Sequence, residues 1–400
     1  MATLLAVSIR SDAPTHLTRL SRARSRRQSG LGGQRRRQQR LTPHPRTGHN
    51  ALPTDDDAPT TDDQGDCGVT PPTSSASSVS VEPYPTASDL GFAVHEEPRG
   101  PHGEALGWSK RLGDRWIAFR LLRRLPELLP VDGLQREVLG VSDLDLIAAS
   151  ELVVVSETGG DVIGAFIGPV GPPQELVGAC VGWGGYVARR PRIVSDFLAV
   201  RADVRSLGLG GELKKLQAAI ALERGFVEVV WTVDPLRAPN ARLNFEKLGA
   251  YADRYEENRY GESYGTGLYG GLPTDRIHVT WPITSARVQD RLLGRYTPLT
   301  PADVAGLAHF DPNATDRERA LVYIPANVDL LLASDPNAAF RWRLTLRETL
   351  QLAFAAGYAI TGFVPNLDPE RGYAAYVVSR PPGEECAARG SGIEVGGSKR

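Results

Sequence analysis

Apolar side chains fall into repeating patterns only between about residue 88 and residue 380, and those patterns set the expected elements. Trp116–Leu129 spaces Ile117, Leu121, Leu125 and Leu128 at helical intervals and stops against Pro130, which predicts a helix. Ser142–Ala149 predicts a shorter one. Leu152–Val155 and Val162–Ile167, parted by Thr158–Gly160, read as a β-hairpin with a glycine turn. Val177–Gly182 and Ile193–Val200 add two strands, with Gly184–Arg192 as the loop between them.

The most regular stretch follows. A turn at Arg205–Gly210 leads into a helix over Glu212–Arg224, with Leu213, Leu216 and Ile220 on one face and Gly225 where a left-handed cap is expected. Phe226–Val233 is an apolar, β-branched strand broken by Asp234-Pro235. Ala238–Leu248 is a second helix, stopped by Gly249, with Lys247 in its last turn complementing the dipole. Strands follow at Ala250–Tyr255 and Arg276–Pro282. Beyond the polar stretch Pro298–Asp316, a strand (Ala320–Ile324), a long helix (Ala338–Ala356) and two strands (Ala359–Phe363, Tyr373–Val378) form an α/β extension over residues 317–380. The expected class is α+β: a mixed, mostly antiparallel sheet flanked by helices, receiving one βαβ unit.

Composition changes this picture mainly at the ends. Residues 1–88 are rich in Arg, Ser, Gln, Pro and Thr and poor in large apolar side chains, which predicts a disordered tail; residues 381–400 read as a second one. Eleven arginines lie between Arg10 and Arg46 against Asp12 alone, and an acidic run at Asp55–Asp57, Asp62, Asp63 and Asp66 follows. The net charge of −1 therefore conceals an internal asymmetry. The basic arm is open to three readings: a nucleic-acid contact, a targeting presequence, or a solvated tail, the last including translation from a start codon upstream of the real one. The last is favoured, because five lysines and a bias to Arg, Ala, Gly and Pro are what a GC-rich bacterial genome produces. Cys67, Cys180 and Cys386 share no metal-ligand or CxxC spacing, so neither a metal site nor a disulfide framework is expected. No apolar run reaches the ~18 residues of a membrane span, and a cytoplasmic protein is expected.

Ser195–Glu212 reads SDFLAVRADVRSLGLGGE: a strand, a glycine-punctuated turn, then a helix. Gly208, Gly210 and Gly211 let the backbone bend and put no side chain between amide and ligand. The first amides of the helix have no internal acceptor and sit at the positive end of its dipole, and Arg205 adds a full charge at the edge. The physics predicts a phosphate-bearing ligand. Leu213 stands where a dinucleotide-binding GxGxxG would need its third glycine, and GxxxxGK[ST] is absent.

What does stand here is R-x-x-G-x-G, Arg205-Ser206-Leu207-Gly208-Leu209-Gly210, which resembles the coenzyme A pyrophosphate loop of the GNAT N-acetyltransferase superfamily. Asn240-Ala241-Arg242-Leu243-Asn244-Phe245-Glu246-Lys247-Leu248-Gly249-Ala250 resembles the helix that lies beside the pantetheine arm in that superfamily. WTVDPLRAPNARLN (Trp231–Asn244), Tyr260-Gly261, Leu272–Trp281 and the later Trp342-Arg343, Arg347 and Gly357-Tyr358 resemble an uncharacterised bacterial branch of predicted acetyltransferases. The similarity runs from about Leu121 to Val378.

The resemblance implies a GNAT acyl-coenzyme A N-acyltransferase fold over residues 110–297 with the extension attached. It also implies direct transfer of an acetyl or other short acyl group from acyl-coenzyme A to an amine, without a metal. By the same resemblance, backbone at Phe197, Leu198 and Val200 pairs with pantetheine. Arg205, Ser206, Gly208, Leu209, Gly210 and Gly211 hold the pyrophosphate, and Asn240 meets the pantetheine amides or caps its helix. Candidate bases are Asp196, where the branch usually has histidine, and Asp234, which alternatively begins a turn. Where many family members carry a tyrosine acid stands Phe245; Tyr255 and Tyr260 are the candidate substitutes. Arg341, Arg343 and Arg347 read as a solvated or ion-paired helix face. A small-molecule amine is the expected acceptor, with room for a homodimer. The alternatives are a non-catalytic acyl-coenzyme A sensor and, less well supported, a nucleic-acid binder acting through the arginine arm.

Overall fold

The computed structural model describes residues 84–168, 174–187, 189–261 and 271–380. Both expected tails lie outside the described residues except for 84–88, where Pro85 is buried and Ala87 packs on the core, so ordered structure starts slightly earlier than expected. The chain forms β1 (Ala93–Val94), β2 (Gly107–Leu112), β3 (Arg115–Leu121), α1 (Leu125–Leu139), α2 (Ala149–Glu157), β4 (Asp161–Ile167), β5 (Glu175–Val187) and β6 (Arg190–Val200). Then come α3 (Leu209–Glu223), β7 (Glu228–Val233), α4 (Ala238–Ala241) running into a π-helical turn Arg242–Lys247, β8 (Tyr251–Glu256), β9 (Arg276–Trp281) and α5 (Ala286–Leu292). The extension comprises β10 (Arg319–Pro325), α6 (Val328–Ser334), α7 (Pro336–Ala355), β11 (Ala359–Asp368) and β12 (Tyr373–Ser379).

One twelve-stranded sheet takes all strands in the order β1-β2-β3-β4-β5-β6-β7-β9-β8-β11-β12-β10. Its ladders are antiparallel except β6 with β7, so the sheet is mixed and mostly antiparallel, as expected. Two cores cover it. α1 and α2 pack on one face over β4–β6, with Leu128, Leu134, Leu152, Phe197 and Ala199 buried. α3 and the π turn pack on the other, with Leu198, Leu213, Leu216, Trp231 and Trp281 buried.

Four expectations fail before the β6 strand is complete. Trp116–Leu129 is a strand followed by the start of a helix. Ile117, Phe119 and Leu121 are all buried at period two, a pattern that the four-residue spacing of Ile117 and Leu121 also satisfies. Leu152–Val155 lies in α2 rather than a hairpin strand; Ala149, Leu152 and Val155 bury one helical stripe against α1, and that packing outweighs their weak β-branched preference. Ser142–Ala149 is turns up to the first residue of α2. Gly184–Arg192, expected as a loop, extends the β5–β6 hairpin, with Gly184 opposite Ile193 and Val187 opposite Arg190.

The extension continues the main sheet where Ile360 of β11 bridges Ala252 of β8. Side chains reinforce the junction. α7 sends Arg343 to Asp234 at 2.8 Å and Arg347 to Asp275 at 2.8 Å, while Arg237 reaches Asp329 of α6 at 2.6 Å. Arg341 stays exposed, while Arg343, wholly buried, and Arg347 are ion-paired, the second of the two alternatives expected for this face.

Candidate active site

The site is built where β6 and β7 part. They pair in parallel over Arg192–Glu228, Ile193–Val229 and Val194–Val230 and no further, although β6 runs on to Val200 and β7 to Val233. From Ser195 onward β6 is laddered to β5 alone, so its backbone toward β7 has no strand partner. Phe197, Leu198 and Val200 are buried.

A bulge sets what the strand presents. Val181 opposes Phe197 and Gly182 opposes Ser195, leaving Asp196 as the extra residue. Ser195, like Ile193, faces α3, where its hydroxyl meets Lys214 at 3.1 Å. After the extra residue the alternation resumes shifted: Phe197 and Ala199 face α1 and α2, and Leu198 and Val200 face α3. Asp196, 2% exposed, accepts a 2.9 Å hydrogen bond from the Trp183 indole of β5. Trp183 packs on the α1–α2 core, which places this carboxylate on that face.

At the end of β6 the chain makes a short 3₁₀ turn, Ala202–Leu207, and enters α3 through Gly208 at φ +73°, a left-handed conformation that suits glycine. The Gly211 and Glu212 amides fold back on the Gly208 carbonyl at 3.0 and 3.4 Å, whereas those of Leu209 and Gly210 have no acceptor among the described residues. Leu209 is the buried anchor of the turn; Ser206 and Gly208 are exposed. A Cβ on Gly210 would lie 3.4 Å from Leu198 and 3.8 Å from Val200, filling the gap between helix and strand. Arg205 donates from Nε to the Val200 carbonyl at 3.0 Å, tying its guanidinium to the end of the strand. Glu212, the acid of the first turn, is itself neutralised by Lys110 at 2.6 Å and Lys215 at 3.2 Å. The turn thus offers open amides, a dipole and a guanidinium, with Glu212 already paired and Asp203 held by Arg201 at 2.9 Å, which fits a diphosphate.

Asn240 is buried on α4, at the other side of the parting. Asn244, one turn on within the π-helical segment, is fully buried with neither amide atom hydrogen-bonded. An orphaned buried amide is costly, and π turns recur at ligand sites. Leu243 of the same turn comes within 3.9 Å of the Cβ position of Gly211, so this segment lies against the opening of α3.

The remaining candidates separate. Asp234 follows β7, accepts the Leu236 amide at 2.9 Å and pairs with Arg343. Burial opposes its ionisation, yet Arg343, with Arg276 and Arg237 behind it, holds its carboxyl down at about 2. As placed, it anchors α7 and is a poor proton acceptor. Tyr255 donates to Asp275 at 2.7 Å, and burial together with that carboxylate pushes its hydroxyl far above the ordinary tyrosine range. Tyr260 stands differently: its hydroxyl lies 3.5 Å from Thr232 Oγ1 on the end of β7 that pairs with β9 but no longer with β6, and the Arg276 guanidinium lies 4.8 Å from its ring centroid. Thr232 alternates with Trp231 and Val233, which face α3, so Tyr260 and Asp196 flank the parting on the same face of the sheet. Phe245 is fully buried, edge-on to Tyr376 at 5.6 Å, and the Tyr376 hydroxyl donates to the Pro235 carbonyl at 2.7 Å.

Sequence reasoning missed Trp183, Asn244 and a polar cluster beneath the bulge. There Lys214, fully buried, donates to Gln217 at 2.6 Å and lies 4.1 Å from the Trp231 ring centroid; burial lowers it to about 8. Burial likewise raises Asp161, paired with Arg224 at 2.6 Å, to about 6. No motif could have signalled these contacts; Trp183, a large aromatic in a glycine-rich stretch, was the one visible hint. Among the described residues no group of three or more His, Cys, Asp or Glu side chains is placed to hold a metal ion, and no helix is long and apolar enough to cross a membrane.

No protein-family model matches the chain, and no curated protein does. Solved structures align with about two fifths of the chain at low similarity. A putative acetyltransferase of the GNAT family from Desulfovibrio desulfuricans is 16% identical over 42% of this chain and 99% of its own, with a TM-score of 0.33. The ribosomal-protein-S18-alanine N-acetyltransferase from Escherichia coli is 16% identical over 42% of this chain and 96% of its own, TM-score 0.33. A putative acetyltransferase from Acinetobacter baylyi is 14% identical over 44% of this chain and 97% of its own, TM-score 0.36.

Proposed function

We propose that the chain is a GNAT-type N-acyltransferase that moves an acetyl or other short acyl group from acyl-coenzyme A to a small-molecule amine. The observation that carries this reading is the parting of β6 from β7 after Val194 and Val230, with the glycine turn of α3 at its mouth. β6 main chain from Ser195 to Val200 is suited to pair with the amides of a pantetheine arm, and the Leu209 and Gly210 amides with Arg205 are suited to the diphosphate. Asn240 and Asn244 supply amide partners along the same cleft.

Chemistry follows from which groups flank the opening. The acceptor nitrogen attacks the thioester carbon and the carbon–sulfur bond breaks. Asp196 takes the amine proton, and the Trp183 indole holds its carboxylate in place without adding charge. A β6 backbone N–H stabilises the oxyanion. Tyr260, across the opening, is the group positioned to protonate the departing thiolate. Asp234 and Tyr255 belong to the support of α7. A cytoplasmic location suits a coenzyme A donor.

A second reading, a non-catalytic acyl-coenzyme A sensor, is favoured by Phe245, which puts no hydroxyl at the end of the cleft. Calorimetric titration with coenzyme A, followed by thiol release from acetyl-coenzyme A over an amine panel, separates the two. Binding with amine-dependent release supports the enzyme; binding without release selects the sensor; no binding rejects both. Gly210→Glu should weaken coenzyme A binding by roughly 100-fold with little change in Tm, because its carboxylate meets the diphosphate at the helix opening.

A further inference from the structure

A second cavity lies away from the parting, against β3 on the α1 face. It holds about 630 Å³ between the loop before β2, the end of β3 and the first turn of α1. Leu122 and Phe166, both in the α1–α2 core, form part of its floor. Arg99, Arg120, Arg123 and Arg124 line it against a single carboxylate, Glu127.

The pairing of these charges decides what the cavity suits. Arg123 is taken by Glu104 at 2.6 Å and Arg124 by Glu127 at 2.7 Å, and Glu127 also accepts the Arg124 amide at the start of α1. Arg99 donates only to the Glu96 carbonyl, at 2.8 Å. Arg120 donates to the neutral Gln174 side chain at 3.2 Å and lies 3.9 Å from the Phe166 ring centroid. Desolvation lowers the Arg120 pKa, against a smaller pull from Glu127. Two guanidinium groups without an ion-pair partner among the described residues thus border an apolar floor. The adjoining cavity of about 680 Å³, which shares Pro101, Leu121 and Arg123, carries three carboxylates, Glu104, Glu157 and Glu223, beside Arg123 and Arg224, and suits an anion less well.

We propose that the arginine-lined cavity binds a small organic anion with an apolar body, an aryl or branched aliphatic carboxylate. Its carboxylate sits between Arg99 and Arg120 and its body rests on Leu122 and Phe166. Guanidinium–carboxylate pairing supplies the orientation and the dry floor supplies the affinity. None of the residues placed in the acyl-transfer cleft lines this cavity, so the two sites fill independently.

The test is a ligand-observed NMR titration of 3-phenylpropionate against the full chain saturated with coenzyme A, with 3-phenylpropionamide as the uncharged control. The carboxylate should bind saturably, and the amide about tenfold more weakly. Arg120→Gln should cost about tenfold, as expected for one charge-assisted hydrogen bond, and Arg99→Gln a smaller factor. Both arginines are exposed, and unchanged Tm and coenzyme A affinity confirm an intact fold; if either variant is unstable, the other decides. Absence of saturable binding, equal affinity for the amide, or unchanged affinity in the variants overturns the proposal.

Discussion

The two sides of the parting each carry a buried aspartate, and the two are held in opposite ways. On β6, Asp196 receives an indole N–H, which fixes the carboxylate and brings no charge. Past the end of β7, Asp234 receives a buried guanidinium from a helix 109 residues away in sequence. Arg343 lends positive charge, so Asp234 stays ionised and gives up its basicity; Trp183 asks nothing of that kind. Neighbour charge, rather than burial, makes Asp234 a carboxylate that fastens two parts of a fold.

The strongest way to break this contrast is Arg343→Leu. It leaves Asp234 buried beside a lost partner, and chemical denaturation should show a loss of about 3–5 kcal/mol, the usual result of breaking a buried pair from one side. Adding Asp234→Asn to that variant should recover part of the loss; a single variant as stable as the parent would refute the anchoring role. Asp196→Asn should instead spare stability and coenzyme A affinity and lower kcat by roughly 100-fold, the ordinary yield of a general base. An unchanged kcat would return the proton to solvent.

The smallest effect sharpens the comparison through pH. The Asp234 pKa is depressed to about 2 from an ordinary 3.8. Its contribution is therefore complete above pH ~4 and is lost as pH falls toward ~2, amounting to about 2 kcal/mol. Asp234→Asn should flatten that acid limb of the unfolding free energy, whereas Asp196→Asn should leave the Asp234 contribution to it in place.

The glycine turn before α3 was legible because three local signals coincide there: an apolar strand, glycines at Gly208, Gly210 and Gly211, and a helix with one apolar face. β7, β9 to β12 and α7 were legible for the same reason, each being a long periodic run bounded by Gly, Pro or Asp. What stayed hidden depends on partners distant in the chain. The bulge at Asp196 exists only relative to the register of β5. The destination of Arg343 depends on how α7 meets the end of β7. α2 was misread because Val153–Val155 prefer strands locally, and only the surface of α1 reverses that preference. Tyr255 and Tyr260, five residues apart, looked equivalent until one was found against Asp275 and the other beside Thr232.

The extra residue in β6 is the acid itself, and that has a consequence for how this strand can vary. Deleting Asp196 would close the bulge and leave Ser195 and Phe197 adjacent on opposite faces, so Phe197 stays toward α1, Leu198 stays toward α3 and every later residue keeps its core. An added residue is what would re-phase the strand. The proposed proton acceptor thus occupies a position outside the alternation, one the ladder could lose without exchanging its two faces.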